Sequence, residues 1–135
     1  MGNWFKKCYR SVFTLQLEKI KNTQDFDKIK FIILYGSVAE GKERTDSDID
    51  ICIYYDGKDE EAFNFRFRIL SEFDEKYDIK IFQHLPLYVK IEVLKGKVVY
   101  CKDKKFLYEI AMQTIREFDE FKHRFYDYIG LEMIK

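Results

Sequence analysis

The chain has 135 residues, a length that suits one domain with a modest hydrophobic core. Hydrophobic residues make up 47% and aromatic residues 18% of the chain, which excludes a disordered protein. Lys plus Arg and Asp plus Glu are each 24, so the net charge of zero excludes a general nucleic-acid coat, and direct nucleic-acid binding is not indicated.

The first part of the chain predicts one helix and two strands. Apolar residues at mostly helical spacing indicate an opening amphipathic helix over about residues 4–21. The run FIILYG, residues 31–36, is apolar, short and stopped by glycine, so it predicts a buried central strand. The segment IDICIYY, residues 49–55, is rich in β-branched and aromatic side chains and precedes an Asp-Gly turn, which is typical of a second strand.

The second part predicts helices that flank the sheet. Residues 59–75 place apolar side chains among charges and favour a helix packed on the sheet. YDIKIF, residues 77–82, alternates in polarity and predicts a third strand. LYVKIEVLKG, residues 87–96, suggests a short helix, and KVVYC, residues 97–101, a short edge strand. From about residue 104 to 130 one apolar stripe predicts a long terminal helix.

The aromatic side chains at the end of the terminal helix favour a second role. We expect the first half of this helix to pack on the core and its second half to extend beyond a small sheet. The rings concerned are those of Phe121, Phe125, Tyr126 and Tyr128. Left uncovered, they would form a surface for a partner.

The cysteines and the apolar segments favour a soluble, cytoplasmic protein. Cys8, Cys52 and Cys101 are odd in number and far apart, which is typical of reduced thiols. No apolar run approaches the roughly 18 residues that a membrane span needs, and the first ten residues lack the apolar core of a signal peptide.

Paired aspartates begin the second strand. Residues two apart on a strand point to the same side, so Asp48 and Asp50 present two carboxylates together while Ile49 and Ile51 face the core. Carboxylates this close repel each other unless a cation lies between them, and their oxygens suit Mg²⁺ or Mn²⁺. A third strand beside the second would bring Asp78 to the same rim. The sequence therefore predicts a cluster of three carboxylates around a metal.

A Gly-Ser pair follows the first strand. Gly36 has no side chain to block the approach of a phosphate to the backbone, and Ser37 offers a hydroxyl and an amide. The residues that follow would form a helical turn with its amides directed at an anion. A phosphate site beside a metal site predicts that the chain binds a nucleoside triphosphate.

These motifs resemble a known family. Gly36-Ser37, ten further residues and Asp48-Ile49-Asp50 resemble the GSx10DxD signature of the DNA polymerase beta-like nucleotidyltransferase superfamily. The short chain and the string GSVAEGKERTDSDIDI resemble its minimal nucleotidyltransferase (MNT) branch, and YDIKIF resembles the strand that carries the third aspartate. The resemblance implies an α/β (α+β) fold with a small mixed sheet, flanking helices and a long C-terminal helix. It implies a single domain over residues 1–135, with its catalytic core at about residues 30–103.

The resemblance also implies roles for these residues. Asp48 and Asp50 would hold two Mg²⁺ ions, Asp78 would complete one site and help to activate the attacking hydroxyl, and Gly36 with Ser37 would hold the triphosphate. A nucleoside monophosphate, AMP from ATP, would pass to a hydroxyl. Relatives of this size imply that the acceptor is a tyrosine of a HEPN ribonuclease toxin, so that the chain is an antitoxin in a hetero-oligomer with that toxin.

One residue departs from the family pattern. Many members have an arginine where GSVAEG has Glu40. A negative charge there opposes the triphosphate unless it points away, so we expect Lys42 or Arg44 to compensate. If neither reaches the phosphates, catalysis would be weak or absent.

Two other functions stay open. With a vestigial nucleotide site, the chain would be an antitoxin that neutralises its partner by masking it, and Glu40 and the aromatic terminal helix favour this hypothesis. It predicts that a chain with Asp48→Ala and Asp50→Ala still protects cells from the toxin. The other function is an enzyme that modifies a small alcohol, but such relatives carry an additional substrate domain.

Two further motifs are incomplete. GSVAEGK, residues 36–42, nearly matches the P-loop, but Glu43 stands where that motif requires a hydroxyl. Arg116 and His123 superficially fit the Rx4-6H motif of HEPN ribonucleases, which belongs in a helical bundle. We interpret both as surface residues and assign no role to His84.

Overall fold

The structure of the chain is a computed structural model, and it describes residues 17–36, 49–73 and 75–129. Residues 17–21 are helical and are called α1. Short 3-10 helices span Gln24–Lys28 and Phe82–His84. The other elements, in chain order, are β1 (Ile29–Tyr35), β2 (Ile49–Tyr55), α2 (Asp59–Leu70), β3 (Tyr77–Ile81), α3 (Leu87–Leu94), β4 (Lys97–Cys101) and α4 (Lys104–Ile129).

The strands form one mixed sheet in the order β3-β2-β1-β4. β1 is antiparallel to both of its neighbours, β2 and β4, whereas β2 and β3 are parallel. A parallel pair needs a crossover connection, and α2 provides it. The prediction of a small mixed sheet with a long C-terminal helix is confirmed, and β4 lies at an edge as expected.

Alternating side chains divide the core between the two faces of the sheet, because successive residues of a strand point to opposite sides. One face packs against α1 and α2; its buried residues include Ile20, Ile32, Ile51, Ile53, Ala62, Phe65, Ile69 and Ile79. The opposite face packs against α3 and the start of α4; its buried residues are Phe31, Ile33, Tyr35, Cys52, Phe82 and Val93. The second face also carries the two predicted strand aspartates that the structure describes.

The start of β1 and the end of α2 differ from the predicted bounds. β1 begins at Ile29, two residues before the predicted start. α2 ends at Leu70 rather than near residue 75, because the Ser71 hydroxyl donates a hydrogen bond to the Arg68 carbonyl (2.6 Å) and the chain then turns. The turn lets Phe73 pack edge-on against Tyr77, with ring centroids 5.4 Å apart. The opening helix is seen only at residues 17–21, since residues 4–16 lie outside the described residues.

Within the described parts of the chain, no helix is both long and apolar enough to cross a membrane. Cys52 and Cys101 are free thiols, and Cys8 lies outside the described residues.

We expect the packing of α2 to depend on Phe65, which is fully buried with its ring centroid 4.8 Å from that of Tyr55. Phe65→Ala should lower the free energy of unfolding by about 3–5 kcal/mol, because it removes a buried ring and leaves a cavity. Phe67, two residues on and 68% exposed, is the matched control, and Phe67→Ala should cost less than about 1 kcal/mol. Urea unfolding of the two variants tests the assignment; equal losses would contradict it.

Candidate active site

Three polar side chains form a row across the sheet near the end of β1. Tyr35 pairs with Asp50 in the antiparallel register of β1 and β2, and Asp50 pairs with Asp78 in the parallel register of β2 and β3. Directly paired residues of neighbouring strands, which lie about 4.8 Å apart, point to the same face. The tertiary structure thus places the Asp50 and Asp78 carboxylates side by side, and both are partly exposed.

A second row lies one step further into the sheet on the same face. Ile33 pairs with Cys52, and Cys52 pairs with Lys80. The Lys80 ammonium donates a hydrogen bond to Asp78 Oδ2 at 2.7 Å. Lys80 therefore offsets one of the two neighbouring negative charges, although partial exposure of both side chains to solvent weakens the attraction.

Gly36 borders the carboxylate row and leaves no room for a side chain. Its φ is +83°, a conformation that other residues rarely adopt, and a Cβ there would lie 2.5 Å from Asp50 Oδ2. Glycine is therefore required both by the backbone turn after β1 and by the close approach of the Asp50 carboxylate.

The Tyr35 phenol and the Cys52 thiol beside the carboxylates stay uncharged. Burial raises the pKa of the Tyr35 phenol well above its usual value, and repulsion from Cys52 when it is ionised and from the Asp50 and Asp78 carboxylates adds to this. Burial also raises the pKa of the Cys52 thiol, and the nearby Lys80 and Lys90 ammonium groups only partly counter this. At neutral pH the site therefore contains a neutral phenol and a neutral thiol next to two carboxylates, and neither group competes with them for a cation.

The carboxylate pair fits a hard divalent cation. Asp50 and Asp78 supply oxygen donors on one face, and Asp50 lies against Gly36; this is the donor chemistry that Mg²⁺ and Mn²⁺ take. Within the described residues no group of three or more His, Cys, Asp or Glu side chains could hold a metal ion. The third predicted carboxylate, Asp48, lies outside them, as do Ser37, Glu40, Lys42, Glu43 and Arg44.

The sequence did not single out two members of the site. Tyr35 belongs to the run FIILYG, whose apolar pattern gives no sign that one of its side chains lies beside a carboxylate. Lys80 belongs to YDIKIF and is not part of any recognised motif. The polarity alternation of β3 places Lys80 on the same face as Asp78, but only the pairing with β2 brings both to Asp50.

The residues given no role are exposed. His84 Nε2 is 3.4 Å from Asp59 Oδ1 at the start of α2, a surface contact that is ionic only when the imidazole is protonated. Arg116 and His123 lie on α4, where both side chains are exposed.

Comparison with known proteins identifies the family. The family model for polymerase beta nucleotidyltransferases matches residues 18–105, so the chain belongs to this family and the predicted resemblance is confirmed. A Methanocaldococcus jannaschii protein, named as a candidate protein adenylyltransferase, is 43% identical over 82 residues. That alignment covers 61% of this chain, which spans 63% of the length of that relative.

Solved structures share the fold at low sequence identity. A chain of a toxin-antitoxin crystal structure with AMP-PNP is 18% identical, with a TM-score of 0.67 over 86% of this chain and 94% of that one. A chain from the complex of a tri-AMPylated Shewanella oneidensis HEPN toxin with an MNT antitoxin is 17% identical, with a TM-score of 0.63 over 87% and 95%. At this identity the likeness shows the polymerase beta-like fold.

We expect Gly36→Ala to disrupt the carboxylate row. The variant forces a left-handed conformation on alanine, at about 1–2 kcal/mol, and pushes Asp50 away from its position. Mn²⁺ binding, followed by electron paramagnetic resonance, should weaken at least about tenfold relative to the unchanged chain. Unchanged Mn²⁺ affinity in a folded Gly36→Ala protein would show that Asp50 does not hold the metal.

Proposed function

We propose that the chain is a Mg²⁺-dependent nucleotidyltransferase that transfers AMP from ATP to a tyrosine hydroxyl of a HEPN ribonuclease toxin, and so acts as its antitoxin. The observation that carries the proposal is the direct pairing of Asp50 with Asp78 beneath Gly36. Membership of the polymerase beta nucleotidyltransferase family supports the reaction class. The candidate adenylyltransferase relative and the neighbour with a tri-AMPylated HEPN toxin support the nucleotide and the partner.

The proposed reaction is an in-line displacement at the α-phosphorus. The acceptor oxygen forms a bond to the α-phosphorus while the bond from that phosphorus to the bridging oxygen breaks, and pyrophosphate leaves. The proton of the hydroxyl passes to a base, for which Asp78 is the candidate. Bound Mg²⁺ would supply positive charge that stabilises the entering and leaving oxygens.

Each site residue has a distinct part in this proposal. Asp50 and Asp78 hold the metal together with Asp48, the residue before β2. Gly36 and Ser37 hold the triphosphate, and Lys42 or Arg44 offsets the charge of Glu40. Tyr35 stays protonated beside Asp50 and leaves the negative charge of the site to the carboxylates.

The proposal extends to the organisation and location of the chain. Residues 1–135 act as one domain that forms a hetero-oligomer with the toxin. The protein acts in the cytoplasm, where the free thiols of Cys52 and Cys101 stay reduced.

The transferase predicts an adduct that depends on the paired carboxylates. A HEPN-domain protein incubated with the chain, MgCl₂ and ATP should gain the mass of one or more adenylates by intact-mass analysis. Asp50→Asn and Asp78→Asn should each slow this gain by more than about a hundredfold, because each removes a charged ligand of the metal. Chelation with EDTA should stop transfer altogether, and the other nucleoside triphosphates, tested in parallel, identify the preferred nucleotide.

The matched control is Asp56→Asn. Asp56 follows the last residue of β2, whereas Asp50 lies near the start of that strand. Asp56 Oδ2 lies 3.8 Å from Lys30 Nζ on the surface, and the Asp56 side chain is 65% exposed. This variant should transfer AMP at the rate of the unchanged chain. Undiminished transfer by Asp50→Asn, or a HEPN protein that gains no mass while it forms a complex, would refute the transferase.

A masking antitoxin is the second candidate, and one observation favours it. Several aromatic side chains of the second half of α4 are exposed, which favours binding of the toxin through a surface that does not include the carboxylates. In this case cells that express the Asp50→Asn chain would remain fully protected from the toxin. Loss of protection with retained binding would favour catalysis instead.

A further inference from the structure

The terminal helix extends beyond the core that supports it. α4 has 26 residues and is therefore about 39 Å long. Phe106, Leu107 and Ile110 pack against the buried cluster beside α3, and Thr114 is only 4% exposed. From residue 115 to 128, all side chains are exposed except those of Phe118 and Tyr126, which are partly buried. The second half of α4 is thus a helix with little of its own surface in the core.

The apolar stripe of α4 follows a coiled-coil repeat through both halves. Its members lie alternately four and three residues apart, and they are Leu107, Ala111, Thr114, Phe118, Phe121, Phe125 and Tyr128. This 3.5-residue spacing keeps one side of a helix directed at a neighbouring helix. The first three members lie on the half that packs on the domain. The last four, which we call the aromatic seam, lie beyond it.

The rings of the aromatic seam are ordered as a surface. Phe121 and Phe125 are each 48% exposed and stack with their centroids 6.1 Å apart and their planes at 19°. Tyr128 is 88% exposed. Single exposed apolar residues are ordinary, but a contiguous row of aromatic side chains on one helix face is typical of an interface.

The charges of this half are divided between the seam and the outer face. Lys122 and Arg124 are at the two positions that flank the seam, and Lys122 Nζ lies 5.5 Å from the centroid of the Phe118 ring. The acidic residues Asp119, Glu120 and Asp127 are at positions away from the seam. Glu117 also flanks the seam, and its carboxylate accepts a hydrogen bond from Gln113 Nε2 at 3.2 Å. Two of these three charged residues at the edges of the seam are therefore basic.

A second copy of the chain fits this pattern poorly. Antiparallel pairing that places Phe121 opposite Phe125 of the other copy centres on His123, and so brings the basic flanks of the two copies together. Parallel pairing would direct the first half of the second helix into the space where α4 packs on its own domain. An occupant with acidic flanks avoids both conflicts.

We propose that the aromatic seam binds one amphipathic helix of a partner protein, whose apolar residues face the rings and whose flanking residues are carboxylates. This inference rests on the proposed function, because the partner is taken to be the protein that accepts the nucleotide. It extends the proposed function by naming the surface of the chain that holds this acceptor. α4, whose second half carries the seam, starts on the sheet face that carries Asp50 and Asp78.

Designed peptides test the chemistry of the seam without any assumption about catalysis. The probe is a helical peptide of about four heptads with Leu at a and d and Glu at e and g; its matched control carries Lys at e and g. The unchanged chain should bind the Glu peptide at least about tenfold more tightly than the Lys peptide in fluorescence anisotropy. Lys122→Glu combined with Arg124→Glu should reverse this preference, whereas Glu120→Lys on the outer face should leave it intact.

Phe121→Ser combined with Phe125→Ser should weaken binding of the Glu peptide by at least about tenfold, because exposed aromatic anchors carry most of the affinity of such interfaces. Absence of binding, or equal binding of both peptides, would overturn the proposal. The proposal would also be overturned if sedimentation equilibrium showed a concentration-dependent dimer of the unchanged chain that the Phe121→Ser and Phe125→Ser double variant no longer forms. The occupant of the seam would then be a second copy of the chain. A marked fall in the Tm of the isolated variant would likewise assign the seam to a segment of this chain.

The same variants separate this proposal from the transferase. With a HEPN-domain protein as acceptor, the Phe121 and Phe125 double variant should lose the complex and the transfer together. Asp50→Asn should keep the complex and lose only the transfer. If the unchanged chain binds the toxin but transfers no nucleotide, the proposed transferase activity is refuted and the proposed role of the seam is not. If the double variant binds the toxin normally, only the proposed role of the seam is refuted.

Discussion

The register of β2 between β1 and β3 is the constraint on which both the core and the site depend. Ile49, Ile51 and Ile53 fill one layer only if Asp50 points to the other, because side chains alternate along a strand. A slip of one residue would turn the Asp50 carboxylate into the layer against α2 and remove the three isoleucines from that layer. The hydrophobic core therefore holds Asp50 beside Asp78 and Tyr35, and stability and the placement of the carboxylates have the same cause.

The site combines repulsion with partial compensation. Two neighbouring carboxylates are unfavourable in the folded chain, and the Lys80 ammonium on Asp78 relieves part of this repulsion. Burial keeps Tyr35 and Cys52 neutral, so no further negative charge develops nearby at neutral pH. Two carboxylates on one rim, next to a glycine that admits no side chain, favour the binding of a cation with its anionic ligand.

α4 links this face of the sheet to the aromatic seam. Its first half covers the layer beside α3, and the same apolar repeat continues into exposed rings. A core helix normally ends where its support ends, because further apolar residues in water add nothing to folding. The continuation of the repeat past Thr114 is the observation from which we propose that the seam binds a partner helix.

Much of the architecture and part of the site followed from the sequence. Period-2 and helical patterns located the strands and helices, and the Gly-Ser and Asp-x-Asp spacing indicated the family that the comparisons establish. The end of α2 was missed, because a local cap at Ser71 overrode a pattern that continued to Phe73.

Local patterns report which face a residue takes on its own strand or helix, and for this protein they determined the alternation of β2 and β3 and the apolar repeat of α4. They contain no information on which strands become neighbours. Only the tertiary structure decided that Asp78 lies beside Asp50, that Tyr35 and Lys80 join them, and that the repeat of α4 is covered as far as Thr114. The physical reason is that strand pairing and helix packing are contacts between residues distant in sequence, whose register depends on the whole core.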